Sequence, residues 1–211
     1  MESEQKLIEL IKRTSKFHNA VSRIFNDLII LDDPRCMVSF PSVSLSMEHA
    51  IGAHTLIMLG INSSGYILYR PQFETLIRGM WLLYAASDSY CEDLLKQMSL
   101  EIKIKEKDNI NLTQMLKQLE KSEAPKHIIE DLIKFRDLTL KSLNSFIHGG
   151  YLPMVMTAIK YPPELSINAL LNSNILVAIA SQLAVILSDD QTKMELVKDL
   201  HVQFSDCIVV I

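Results

Sequence analysis

Between Gly65 and Ala86 the chain is apolar around most of a helical wheel, and its charge is gathered into one narrow arc. At about 100° per residue, Arg70, Glu74 and Arg78 span roughly 80°. Ile67, Ile77, Trp81 and Ala85 fall in or beside the same arc, and the remaining positions are mostly Leu, Met, Phe and Tyr. A helix that is apolar on every side belongs in an interior, and charges carried into an interior must be paired. This segment therefore predicts a buried helix, an all-α environment around it and a reason for its three charges.

The rest of the chain agrees with an all-α reading. Glycine is scarce at 6 in 211 residues, and no stretch alternates apolar and polar as a half-buried strand does. The periodicity and its breaks predict helices over about 4–31, 44–59, 66–87, 90–107, 112–120, 125–148, 164–187 and 191–207. Asp32-Asp33-Pro34 is expected to stop the first helix, and the segment from there to Pro41 to form a loop. Pro71 is expected to kink the third helix or to mark a start near Arg70. Residues 151–163, with three prolines, read as a loop. The charge run Glu101–Asp108 reads as a solvated face, with a short strand at Ile102 and Ile104 as the alternative. These elements make one domain over 1–211, an antiparallel bundle of about six to eight helices.

Bulk chemistry excludes several function classes. A net charge of −4 and a pI near 5.9 oppose broad electrostatic binding to nucleic acid or to an anionic membrane. They leave room for a small local basic site. Cys36, Cys91 and Cys207 are far apart and lack any CxxC spacing, which fits a cytoplasmic protein without a zinc centre. The charged opening Met-Glu-Ser-Glu-Gln-Lys has no apolar core of a secretory signal. The most apolar run, Ile175–Leu187, is too short for a span and reads as a core helix, so no membrane is expected. No HExxH, GxSxG or Walker pattern is present, and no metal or cofactor is expected.

Three constellations remain. The Arg70–Glu74–Arg78 set supports two readings: an anion site of two guanidiniums held by a carboxylate, or a triad that locks helix packing. The end of the helix over 125–148 places Asp137, Lys141, Asn144 and His148 within roughly 60° of one another. Leu132, Phe135, Leu143, Phe146 and Ile147 lie opposite. His148 stands at the negative end of the helix dipole beside Gly149-Gly150, well placed to meet an anion, or it merely caps a solvated face. Glu48, His49 and His54 form the third set. The two histidines are about 140° apart on a helix, so they read as satisfied core or interface side chains.

His148-Gly-Gly-Tyr151, closing a long helix in an all-α chain, resembles the HEPN superfamily, whose late helix ends in Arg-x(4–6)-His followed by small residues and Tyr. Tyr69-Arg-Pro-Gln-Phe-Glu-Thr-Leu-Ile-Arg78 is likewise similar to a set of bacterial helical proteins that pair an Arg-Pro-x-Phe-Glu helix, an upstream Glu-His helix and a late His-Gly-Gly. The resemblance covers about 44–151. It implies a HEPN-like bundle, a homodimer with His148 near its axis, and an activity as a metal-independent endoribonuclease of a toxin–antitoxin or anti-phage system, with an antitoxin as partner. Other members of the superfamily only bind nucleotides or proteins.

On the nuclease reading His148 moves protons, Asn144 positions RNA, Arg70 or Arg78 binds phosphate, Glu74 orients the arginines, and Tyr151 completes the motif. The chain departs from the motif: its arginine would fall at 141–143, which are Lys141, Ser142 and Leu143. Lys141 supplies charge without the guanidinium fork. Arg136 lies about 120° from His148. Arg70 or Arg78, reaching over from the neighbouring helix, is the remaining candidate.

Overall fold

The structure, a computed structural model, describes residues 1–99 and 110–208, with Lys141 and Ser142 described by backbone alone. The segment Glu101–Asp108, where a solvated face or a short strand was expected, lies outside the described residues. Among the described residues there are nine α-helices and no strand. They are α1 (Glu2–Asn26), α2 (Pro34–Met58), α3 (Asn62–Tyr84), α4 (Asp88–Ser99), α5 (Leu112–Leu119), α6 (Lys126–Ile147), α7 (Tyr151–Ile159), α8 (Pro163–Ile186) and α9 (Gln191–Gln203).

The helices match the expected order, with three informative departures. Asp33-Pro34 does not merely stop α1, which ends at Asn26. It starts α2: the Asp33 carboxylate accepts from the backbone N–H groups of Arg35 and Cys36, and Pro34 occupies the first turn, where a missing N–H costs nothing. The expected loop up to Pro41 is therefore helical, and Pro41 lies inside α2 on its exposed side. Pro71 is likewise internal to α3, which begins at Asn62 rather than near Arg70. Each proline removes one backbone hydrogen bond, a loss that the packing of these long helices outweighs. The third departure is α7, helical where a loop was expected, with Pro153 in its first turn.

α2 and α3 form a tight antiparallel hairpin through Gly60, which adopts a left-handed φ of 76°. They approach closely at Gly79, where an added Cβ would stand 2.7 Å from Val43 Cγ2. Ser39 Oγ donates to the Gly79 carbonyl at 2.7 Å, and Ser46 Oγ to the Gln72 carbonyl at 2.8 Å. α8 runs through the middle of the bundle against α1, α2, α3 and α9. By length and composition it could cross a membrane, but 61% of its most apolar stretch is buried in the fold, where it serves as a core helix.

α3 fixes the elements around it. Phe73 stacks on Phe135 of α6 at 5.2 Å, and Tyr66 meets Phe146 edge-on at 5.1 Å. Trp81 Nε1 donates to Gln118 Oε1 at 2.6 Å, which docks α5 together with buried Met115, Leu116 and Leu119. A second polar seam joins α1 to α8: buried His18 contacts Asn174 Oδ1 at 3.1 Å, and Asn174 Nδ2 donates to Thr14 Oγ1 at 2.9 Å and to the Cys207 carbonyl at 3.1 Å. His54 closes this seam from α2, 3.0 Å from the Ile11 carbonyl and 3.2 Å from Ser15 Oγ. His54 is thus satisfied in the core, one of the two outcomes the sequence allows for this pair of histidines, while His49 is half-buried.

Candidate functional site

The charged arc of α3 is not buried. Arg70 and Glu74 keep 33% and 37% of their side-chain surface in contact with solvent, and Arg78 is also half-buried. The apolar part of the wheel is interior as expected: Phe73 and Leu76 are fully enclosed, and so is Ile77 beside the arc. A wheel shows which residues share a face; it does not show that the short helix α5 covers this one incompletely.

Nor is the set a closed triad. Arg70 Nε donates to Glu74 Oε1 at 2.7 Å, one turn along α3. Arg70 also donates through its terminal nitrogen to Asn144 Oδ1 on α6. Arg78 forms no ion pair with Glu74 and has no charged partner among the described residues. One guanidinium is thus fixed by two neighbours, while the other has no ion pair among the described residues.

Arg70, Glu74 and Arg78 form one wall of a cleft of about 680 Å³. The opposite wall is the start of α5, from Asn111 to Met115, with Lys117 two residues further on. Asn111 and Gln114 form a reciprocal capping box: Gln114 N–H donates to Asn111 Oδ1 and Asn111 N–H to Gln114 Oε1, each at 3.0 Å. This leaves the Leu112 and Thr113 N–H groups in the first turn without an acceptor among the described residues. The cleft therefore combines three cationic side chains, one carboxylate and the positive end of a helix dipole. In a chain of net charge −4 this is a local positive concavity.

The other candidate residues are placed differently. Asn144 does not line the cleft, but it accepts a hydrogen bond from Arg70, which does. His148 caps the end of α6, is exposed and does not line the cleft. Tyr151 opens α7 at 76% exposure and is likewise outside. The Lys141 side chain lies outside the described residues. Arg136, already too distant on the wheel, pairs with Asp137 at 2.8 Å. A shared cleft for Arg70 and Arg78 is thus present, and His148 is not part of it. Lys117 and the first turn of α5 escaped the sequence reading; the Asn111-x-x-Gln114 capping pattern was their one visible signal.

Residues 43–210 match the model of a family of unknown function, DUF6988. The chain belongs to this family. The match takes in both walls of the cleft, α6 with Asn144 and His148, and the core helix α8. No curated protein and no solved structure matches the chain. For this DUF6988 member, chemistry must be read from the site itself.

Proposed function

We propose that the cleft between α3 and α5 binds a phosphate-bearing ligand of the nucleotide type, and that this DUF6988 member acts as a binding module. The observation that carries the reading is Arg78: a half-buried guanidinium without a charged partner among the described residues, facing a helix N-terminus across a cavity that also holds Arg70 and Lys117. Guanidinium forks and first-turn amides both favour phosphate oxygens. Glu74 and Asn144 hold Arg70 in place, so part of the site is organised before a ligand arrives. Thermal melting with ADP or pyrophosphate tests the idea: both should stabilise the wild type, and Arg78→Ala should lose the effect. Absence of any shift in the wild type would refute it.

A second reading rests on the Arg70–Asn144 bond. His148 follows Asn144 by one helical turn, about 6 Å along α6. A ligand spanning from Arg70 toward the end of α6 would bring RNA phosphate near an imidazole, which is the arrangement a HEPN-like, metal-independent nuclease needs. On this reading the protein is a homodimer joined beside His148, where Tyr151, Met154 and Ile159 of α7 expose apolar surface, and it has an antitoxin partner. The three buried free cysteines suit a cytoplasmic setting. RNA cleavage in the presence of a chelator, abolished in His148→Ala, would favour it over the binding module.

A further inference from the structure

A second cavity lies on the other side of α6, and its chemistry differs from that of the charged cleft. It occupies about 400 Å³ between α6, α8 and the turn that follows α9. Leu132, Phe135 and Leu138 line it from α6, and Ile175 and Ile179 from α8. Leu138 is 73% exposed, so the apolar lining reaches the mouth. The volume falls in the range of small-molecule sites.

The polar groups gather at the α8–α9 side. Ser181 Oγ donates to the Ala178 carbonyl at 2.7 Å and so accepts from His201 Nε2 at 3.1 Å. His201 Nδ1 is then left to accept from Gln182 Nε2 at 3.5 Å. This chain assigns a neutral Nε2–H imidazole, and burial, which lowers the affinity of His201 for a proton, favours the same form. Gln182 Oε1 and Ser205 Oγ, both at the cavity, have no partner among the described residues. At the mouth Asp131 and Lys134 pair at 3.2 Å and cancel each other's charge.

We propose that the cavity between α6, α8 and α9 binds a small uncharged amphipathic molecule, an apolar chain or ring system with one hydroxyl or amine head, whose body packs on Leu132, Phe135 and Ile179 while Gln182 and Ser205 take the head. A charged head would find no countercharge at that end, and a wholly apolar ligand would leave the two polar groups unanswered. The site is independent of the α3/α5 cleft.

The test is a fluorescence titration of the full chain with N-phenyl-1-naphthylamine, an uncharged arylamine, followed by competition. The expected result is saturable one-to-one binding, displaced by 1-decanol at least tenfold more effectively than by decanoate at neutral pH, and not by pyrophosphate. Gln182→Leu should weaken 1-decanol at least fivefold. Leu138→Lys, at an exposed position that leaves the core intact, should weaken the fluorophore by a similar factor. Unsaturable binding, equal displacement by decanoate, or affinities unchanged in both variants would overturn the proposal.

Discussion

Gln72 and Ser173 bond each other twice across the α3–α8 interface: Gln72 Nε2 donates to the Ser173 carbonyl at 3.0 Å, and Ser173 Oγ donates to Gln72 Oε1 at 2.8 Å. Both side chains are buried. Gln72 lies between Arg70 and Glu74 in sequence but on the opposite face of α3, so this clamp sets the rotation of the helix and presents the charged arc to α5. Gln72→Leu should destabilise the fold by about 1–3 kcal/mol, because it leaves the Ser173 hydroxyl buried without its acceptor. Adding Ser173→Ala should recover part of that loss, as urea denaturation of the single and double variants will show.

Gly79 sets the spacing of the α2–α3 hairpin. Its missing side chain lets Val43 Cγ2 approach to where a Cβ would stand at 2.7 Å, too close for any real carbon. Gly79→Ala should cost about 1–3 kcal/mol through overpacking, despite the better helix propensity of alanine. Val43→Ala in the same chain should restore much of it, and a thermal melt of the pair distinguishes this from a simple propensity effect.

Acid should weaken the fold through His18. Burial, with a smaller contribution from nearby His54, pushes its pKa down from 6.5 to about 3. Its Nδ1 is buried without a hydrogen-bond partner among the described residues, and its ring lies edge-on to His54 at 5.5 Å. Below pH 6.5 the unfolded chain takes up a proton that folded His18 refuses, so its contribution to stability, full at neutral pH, is lost as pH falls toward 3. The slope should approach about 1.4 kcal/mol per pH unit. His18→Phe should flatten the dependence of the urea midpoint between pH 7 and pH 5, whatever it does to the neutral value.

The helices were legible because their apolar periods are long and their breaks are marked, and the charged arc of α3 was visible on a wheel. What escaped depends on proline position and on tertiary neighbours. Pro41 and Pro71 look like breaks, yet each forfeits a single bond within helices of 25 and 23 residues. Pro153 looks like part of a loop, yet it sits in the first turn of α7, where its ring is tolerated. The arc was read as buried because a wheel carries no information about how completely a short neighbouring helix covers it. Lys117 and Thr113 carry no local mark of function; they become wall residues only because Trp81 and Gln118 dock α5 against α3. His18 and Asn174 are 156 residues apart, and nothing in their surroundings announces the contact.

The central claim is that the α3/α5 cleft binds phosphate through Arg78, and isothermal titration of pyrophosphate at low salt tests it most directly. The wild type should show saturable binding. Arg78→Ala should weaken it at least tenfold, equivalent to about 1.4 kcal/mol. The melting temperature without ligand should stay close to that of the wild type, because Arg78 forms no ion pair among the described residues. Absence of binding in the wild type, or equal affinity in Arg78→Ala, would contradict the account.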